Sequence, residues 1–118
     1  GRLLANEMAP RPHNSGHYTI EACSMDQFGA HIRGIAGWPL PKPKLLSPAV
    51  MVNVLGQHAE PTRALIATHP EWNVHDYGKA EVRHDRKMGH ITVLTDNPAA
   101  MVADLEATGC WDDLKKKA

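Results

Sequence analysis

Two prolines at alternate positions, Pro10 and Pro12, constrain this sequence more strongly than any other local feature. Each fixes φ at about −65° and disfavours the helical region for the residue before it, so this stretch must be a stiff, extended loop. We call residues 6–17 the first loop. It carries an unusual density of polar side chains, namely Asn6, Glu7, Arg11, His13, Asn14, Ser15 and His17. A rigid loop with these groups is suited to ligand binding.

Composition excludes several classes of function. The 118 residues amount to one domain's worth of sequence, and the formal net charge is zero. Such a chain has no overall field to attract nucleic acid or a membrane surface, so we expect neither partner. Cys23 and Cys110 lack a zinc or redox spacing, which favours reduced thiols and a cytoplasmic location. The basic run at 115–117 predicts that residues 113–118 form a solvated tail.

The N-terminal third is predicted to contain one strand and one helix. Residues 1–5, Gly-Arg-Leu-Leu-Ala, are typical of the second strand of a hairpin, so we expect a C-terminal piece of a longer enzyme. A short strand over residues 2–8 would carry Asn6 and Glu7 at its end. Ser24 and Gln27 have the spacing of a capping box, which predicts a helix. The helix would present Phe28, Ile32 and Ile35 on one face and end at Gly37.

Beyond an extended, proline-rich linker at 38–44, the pattern changes to β-branched residues. Strands are predicted at 49–55, 73–77 and 90–95, with a short helix from Pro61 to about residue 68. A last helix would start at Pro98, turn Met101, Val102 and Leu105 inward, and end at Gly109. We therefore predict an α+β fold with a small mixed or antiparallel sheet, divided into residues 1–37, a linker at 38–44, a subdomain at 45–112 and a tail at 113–118.

The candidate ligands in the first loop each have a competing explanation. Asn6 and Glu7 offer the hard oxygen atoms that Mg²⁺ prefers, although an exposed strand edge would look the same. Arg11 has the planar fork that binds an oxyanion, and a structural salt bridge is the alternative. His13 and His17 have a zinc-like interval, but Pro12 and Gly16 disfavour the helix that would align them. Nucleophilic catalysis by Ser15 or a cysteine has little support, since neither is set in a recognisable elbow or triad.

A second group of cations lies in the glycine-bounded connection at 78–89. Its members are Lys79, Arg83, Arg86 and Lys87. Phosphate recognition is a natural use for such a group. A solvated hairpin tip is the alternative, because Glu81 and Asp85 are interspersed. Taken together, the two loops predict a phosphorylated ligand that contacts both.

These segments resemble the 5-(carboxyamino)imidazole ribonucleotide synthase family of ATP-grasp enzymes, which supplies the ATPase component of phosphoribosylaminoimidazole carboxylase in purine biosynthesis. The most specific likeness is Asn-Glu-Met-Ala-Pro-Arg-Pro-His-Asn-Ser-Gly-His-Tyr-Thr-Ile-Glu-Ala at 6–22. Family-like stretches follow in order at 24–35, 51–56, 77–79 and 86–94. The resemblance covers nearly the whole chain and implies the end of an ATP-grasp core followed by a small C-terminal subdomain.

The resemblance also implies roles for the polar residues. The family uses ATP and bicarbonate to make carboxyphosphate and then carboxylates 5-aminoimidazole ribonucleotide. Glu7 with Asn6 would contact Mg²⁺ and ATP, and Arg11 and His13 would be catalytic residues at the carboxyphosphate. The ribonucleotide would contact Arg11 and a further set of residues, namely His13, Asn14, Ser15, Lys79 and Arg86.

The same resemblance implies a longer, homodimeric enzyme with its adenine pocket and second magnesium carboxylate upstream, so we expect this chain alone to be inactive. Two alternatives stay open. One is a non-catalytic folding and association module. The other is a sister ATP-grasp enzyme, such as the formate-dependent glycinamide ribonucleotide transformylase.

Overall fold

The computed structural model describes residues 1–116, and the chain divides into two compact units. The first is Gly1–Leu46 and the second begins at Ser47. None of the described helices is long and apolar enough to cross a membrane.

The first unit is helical. A 3₁₀ turn at Asn14–Gly16 is followed by α1 (Thr19–Ala22) and α2 (Gln27–Ala36). The strand predicted at 2–8 is wrong, because this segment pairs with no other strand among the described residues. An isolated strand has no ladder of hydrogen bonds to hold it.

The helix α2 begins two residues later than the predicted N-cap at Ser24 implies, because its N-cap is Asp26. Asp26 caps the helix, its Oδ1 accepting from the Gly29 N–H at 2.9 Å. The predicted capping box is wrong because Ser24 Oγ accepts from the Lys44 N–H at 2.8 Å instead, and the Gln27 amide has other partners. The predicted end at Gly37 is confirmed, with a left-handed φ of 68°.

The end of the proline-rich segment is hydrogen-bonded to the residues before α2, so this segment belongs to the first unit. Cys23 and Leu45 form an isolated antiparallel bridge, and the Leu46 N–H donates to Ala22 O at 2.7 Å. Ala22 is the one fully buried residue of this unit, and the apolar side chains of α2 are exposed. The first unit therefore has no hydrophobic core of its own.

The second unit is built on a three-stranded antiparallel sheet with the order β1-β3-β2. Its strands are β1 (Ala49–Leu55), β2 (Asn73–Asp76) and β3 (Lys87–Leu94). This confirms the predicted α+β class with a small antiparallel sheet. The third strand starts earlier than predicted, because a register shift near Val54 allows Leu55 to pair with Lys87.

The helices of the second unit differ from prediction at their starts. α3 (Gly56–Leu65) follows β1 directly and continues into a 3₁₀ turn at Ile66–Thr68. The predicted start at Pro61 is wrong: Pro61 lies inside the helix. The earlier start is stabilised by the His58 ring, whose Nδ1 accepts from the Leu55 N–H at 3.2 Å.

Two further helices complete the unit. α4 (Pro98–Ala107) is capped by Asn97, and Gly109 after it has the predicted positive φ. Leu105 is buried, but Val102 is 44% exposed, so its inward assignment is wrong; it lines an open apolar groove of about 410 Å³. α5 (Asp112–Lys115) includes the first residues of the predicted tail, and residues 117–118 of that tail lie outside the described residues.

The core of the second unit lies between the sheet and its helices. It consists of Val54, Trp72, Ile91, Val93, Leu105, Cys110 and Trp111. Trp72 and Trp111 meet edge to face with ring centroids 6.2 Å apart. Trp111 also donates from Nε1 to Asn53 O at 3.0 Å, which ties the C-terminal segment to β1.

Candidate functional site

The first loop contains a hydrogen-bonded chain of three side chains. Glu7 Oε1 lies 3.0 Å from His13 Nε2, and His13 Nδ1 lies 2.9 Å from Ser15 Oγ. The Ser15 backbone N–H also donates to His13 Nδ1, at 3.3 Å. Because a backbone N–H can only donate, Nδ1 is the acceptor, and the neutral ring carries its proton on Nε2 facing Glu7. The loop thus presents a carboxylate, an oriented imidazole and a hydroxyl in series.

Gln27 on α2 holds this loop in place. Its Oε1 accepts from the His13 N–H at 2.9 Å, and its Nε2 donates to His13 O at 2.7 Å. The same amide nitrogen lies 2.6 Å from His17 Nδ1. One side chain therefore fixes the backbone of His13 in both directions and orients a second imidazole.

The loop approaches the Gln27 side chain closely at Gly16. A Cβ on Gly16 would lie 2.5 Å from Gln27 Oε1. Beyond Gly16, the His17 ring stacks on Phe28 with centroids 5.2 Å apart. His13 and His17 thus point to different partners, Glu7 and Ser15 for one and Gln27 and Phe28 for the other. Within residues 1–116 no group of three or more His, Cys, Asp and Glu side chains is placed to hold a metal ion.

Arg11 is exposed at the outer side of the first loop. Its guanidinium donates to the carbonyl of Pro12 at 3.2 Å, so a backbone oxygen rather than a carboxylate orients it. Asn6 and Glu7 are exposed as well, with 61% of the Glu7 side chain accessible. These groups are able to meet a ligand without breaking a core contact.

We call residues 77–86 the second loop. It contains Lys79, Arg83 and Arg86, and Lys87 follows it directly. Lys79 and Arg86 are half-buried, whereas Arg83 and Lys87 are exposed. Lys79 Nζ donates to Lys87 O at 2.6 Å, and the Arg86 guanidinium donates to Glu81 O at 3.1 Å. Arg83 is instead paired with the Glu81 carboxylate. Lys79 and Arg86 therefore donate to backbone oxygen atoms, and neither is paired with a carboxylate of the described residues.

A stack of rings stands where β2 leads into the second loop. The Tyr77 hydroxyl lies 2.8 Å from His90 Nδ1, and the rings of His75 and His90 stack 4.4 Å apart. Burial raises the pKa of Tyr77 above its usual value, so the phenol stays neutral. Lys79 Nζ lies 5.8 Å from the centre of the Tyr77 ring. The entry to the loop is thereby fixed to the buried face of β3.

The two loops lie in different units. The structure brings Glu7, His13 and Ser15 together in the first and places Lys79 and Arg86 in the second. Sequence reasoning missed the connection of Ser15 through His13 to Glu7. It also missed Gln27 as the side chain that holds the loop. Gly16 could have indicated that another group approaches the loop closely at this point.

Comparison with known families places the chain in a class. Residues 1–28 match the ATP-grasp domain, and residues 49–104 match the phosphoribosylaminoimidazole carboxylase C-terminal domain. The first match contains the whole of the first loop and the second contains the whole of the second loop. The fold and both loops thus define part of an ATP-grasp enzyme.

Individual relatives narrow the class. The N5-carboxyaminoimidazole ribonucleotide synthase of Staphylococcus haemolyticus is 55% identical over 96 residues, which are 80% of this chain and 26% of that protein. The ADP complex of N5-carboxyaminoimidazole synthetase from Staphylococcus aureus is 50% identical with a TM-score of 0.84, covering 87% of this chain and 28% of that one. The Aspergillus clavatus synthase in complex with ADP and 5-aminoimidazole ribonucleotide is 35% identical with a TM-score of 0.70, covering 89% and 29%.

The chain belongs to the N5-carboxyaminoimidazole ribonucleotide synthase family, which confirms the resemblance seen in the sequence. It spans about a quarter of the length of the relatives that it matches.

Proposed function

We propose that this chain is the C-terminal part of an ATP-dependent ligase of purine biosynthesis that carboxylates 5-aminoimidazole ribonucleotide. The observation that carries the proposal is the Glu7–His13–Ser15 chain on a loop fixed by Gln27, in a member of this family. The known complex of the Aspergillus clavatus relative with ADP and this ribonucleotide supports the substrate over glycinamide ribonucleotide.

The proposed reaction has two steps. A bicarbonate oxygen attacks the γ-phosphorus of ATP, which releases ADP and forms carboxyphosphate. The exocyclic amine of the ribonucleotide then attacks the carboxyl carbon, the C–O bond to phosphate breaks, and the amine loses a proton. Negative charge develops on the phosphoryl oxygen atoms in both steps, so a fixed cation beside them lowers the barrier.

Arg11 is the cation that we assign to this charge, and His13 is assigned as a second catalytic residue beside it. The Arg11 fork is exposed and oriented by Pro12 O, which suits bidentate binding of carboxyphosphate. His13 is held on both ring nitrogen atoms, so its orientation costs nothing further when the ligand arrives. Asn14 and Ser15, on the 3₁₀ turn beside it, are assigned to the ribonucleotide.

Glu7 and Asn6 are assigned to the magnesium ion that accompanies ATP. An exposed carboxylate beside an amide fits this ion, which takes one or two protein carboxylates and completes its shell with phosphate and water. When bound, the ion neutralises phosphate charge. The residues of this chain orient the carboxylate, since His13 Nε2 holds one Glu7 oxygen.

Lys79 and Arg86 are assigned to the 5′-phosphate of the ribonucleotide. Both donate to backbone carbonyls and have no carboxylate partner within residues 1–116, so they offer net positive charge to a phosphate. Arg83, paired with Glu81, is a weaker candidate.

The remaining parts of the enzyme are proposed to lie outside this chain. The exposed apolar side chains of the first unit, which include Phe28, Ile32 and Ile35, support packing against the rest of an ATP-grasp core. We accordingly propose a cytoplasmic, homodimeric full-length enzyme, and we expect the isolated 118 residues to show no turnover.

The test is ADP release by the full-length enzyme, with 5-aminoimidazole ribonucleotide and bicarbonate each supplied or withheld. Rapid release only when both are present supports the proposal. Release stimulated by another phosphorylated amine would keep the ligase and replace the substrate. Absence of ATPase activity would favour the folding and association module.

A further inference from the structure

The second loop is packed against the N-terminus of α3 at the level of the backbone. A Cβ on Gly56, the first residue of α3, would lie 1.9 Å from Arg83 O and 2.5 Å from Arg83 C. Only glycine allows so close an approach. The conformation of the second loop is therefore coupled to the position of this helix.

Asp85 is the point at which the loop is most constrained. Its φ of 60° is the only positive value at a non-glycine residue in the described part of the chain. This conformation is uncommon for a residue with a Cβ, and contacts from its surroundings help to stabilise it. The next residue is Arg86, so the backbone at Asp85 sets the direction in which the Arg86 side chain leaves the loop.

Gln57, the second residue of α3, supplies that stabilisation. Its Oε1 accepts from the Asp85 N–H at 2.8 Å, and its Nε2 donates to Asp85 Oδ1 at 2.9 Å. This reciprocal pair satisfies both the backbone and the side chain of Asp85.

The same amide is anchored on its other side. Gln57 Nε2 also donates to Asp113 Oδ2 at 3.1 Å, while Asp113 Oδ1 accepts from His58 Nε2 at 2.7 Å. The His58 side chain is 1% exposed, and its Nδ1 accepts from the Leu55 N–H. Gln57 thus connects an exposed loop to a buried imidazole and to α5.

We propose that Gln57 is a positioning residue that sets the backbone of the second loop at Asp85, so that Arg86 and Lys79 are presented to the phosphate of the ligand. The proposal rests on the function proposed above, in which this loop binds the 5′-phosphate. Gln57 itself need not touch the ligand.

The first test measures the loop without any ligand. Trypsin cleaves after Lys79, Arg83 and Arg86, so limited digestion of the full-length enzyme followed by mass spectrometry reports how often the loop opens. We expect Gln57→Ala to increase cleavage at these sites about tenfold, corresponding to the loss of one well-made hydrogen-bonded pair. Glu60→Ala, on the exposed side of the same helix, is the matched control and should leave cleavage unchanged.

The second test measures the ligand. Gln57→Ala should raise the KM for 5-aminoimidazole ribonucleotide about tenfold and leave the KM for ATP within about twofold. Gln57→Glu should be at least as harmful, because its carboxylate would face Asp85 and Asp113. A general loss of folding would instead lower the apparent kcat, through the loss of active enzyme, and leave both KM values unchanged.

The outcomes separate the two proposals. If Gln57→Ala leaves both cleavage and the ribonucleotide KM unchanged while Arg86→Ala raises that KM, the positioning role is overturned and the proposed function stands. If the unsubstituted enzyme shows no ribonucleotide-dependent ADP release, the proposed function fails, and the digestion alone decides whether Gln57 holds the loop.

Discussion

The two loops are held by the same device but present their charges differently. In each, a glutamine amide pairs with one loop residue, Gln27 with His13 and Gln57 with Asp85. In the first loop the reactive groups are also bonded to one another, from Glu7 through His13 to Ser15. In the second loop Lys79 and Arg86 donate to backbone carbonyls, and in the proposed function they would exchange those partners for a phosphate. In the proposed function the first loop would thus be organised before the ligand arrives, and the second would complete its organisation around it.

The two loops also differ in what supports them. The first unit buries one residue fully, Ala22, so its loop depends on prolines and local hydrogen bonds. The second unit has an aromatic core, and its loop is fixed to that core through Gly56, Gln57 and the buried ring of His58. Substitutions around the first loop should therefore alter ligand binding, and substitutions beneath the second should alter stability as well.

The largest expected effect is that of Gly56→Ala. The new methyl group would overlap a backbone carbonyl, which cannot rotate away, so we expect the second unit to lose about 3 kcal/mol of stability. Urea unfolding of the chain followed by tryptophan fluorescence measures this, since Trp72 and Trp111 lie in the core.

Gly34→Ala is the matched control for Gly56→Ala. It lies in α2, where a Cβ would meet nothing within 4 Å, so the substitution should not destabilise the chain. An unchanged urea midpoint for Gly56→Ala would show that the loop is not packed against α3.

The second prediction tests how the first loop is held. Gln27→Ala removes two hydrogen bonds to the His13 backbone and should reduce kcat/KM for the ribonucleotide in the full-length enzyme. The reduction should correspond to a loss of about 2 kcal/mol in transition-state stabilisation. Gly16→Ala should also reduce it, because its methyl group would displace the Gln27 amide.

The two substitutions should not be additive. With Gln27 already removed, Gly16→Ala has little left to displace, so the double variant should resemble Gln27→Ala alone. Steady-state kinetics of the four proteins form the cycle, and strictly additive losses would contradict a shared contact.

The elements that could be predicted from the sequence are those that depend on residues close together in the chain. The strand at Ala49–Leu55 has the predicted bounds, and the helix ends at Gly37 and Gly109 follow from glycine alone. The family, the α+β class and the polar residues of both loops were also accessible. A short strand at 2–8 was predicted from its apolar residues, but a strand depends on a partner that the pattern does not contain.

The side chains that hold the loops were not predictable in the same way. Gln27 bonds to a residue 14 positions away, and Gln57 bonds to Asp85, 28 positions away, and to Asp113, 56 positions away. No periodicity encodes such pairs, because they depend on how the elements pack. Pro61 shows the same limit, since the His58 ring, rather than the proline, stabilises the start of α3.

The third prediction compares two arginines of the second loop. Arg86→Ala in the full-length enzyme should weaken ribonucleotide binding by about 1.5 kcal/mol, the contribution of one hydrogen bond to a charged group. Arg83→Ala, in the same loop, should change it much less, because Arg83 is paired with Glu81. Isothermal titration with the ribonucleotide measures both. Equal losses of affinity in the two variants would mean that the loop binds the phosphate through its overall positive charge and not through Arg86 in particular.

The smallest expected effect concerns the anchor of the second loop in acid. Hydrogen bonds from Gln57 and His58 lower the pKa of Asp113 below its ordinary value of 3.8. A carboxyl whose pKa is lower in the folded chain stabilises the fold above its unfolded pKa, and this contribution is lost as the pH falls through the folded pKa. Asp113→Asn should therefore be less stable than the unsubstituted chain near neutral pH, with the difference shrinking once the pH falls below about 3.8.

Urea midpoints at neutral pH and at several acidic values test this difference. Asp104→Asn, at an exposed position of α4, is the control and should run parallel to the unsubstituted chain at every pH. If the difference in stability between Asp113→Asn and the unsubstituted chain stays constant into acid, the charge of the Asp113 carboxylate does not contribute to stability. The connection from α5 through Gln57 to the second loop would then rest on hydrogen-bond geometry alone, as the connection from Gln27 to the first loop does.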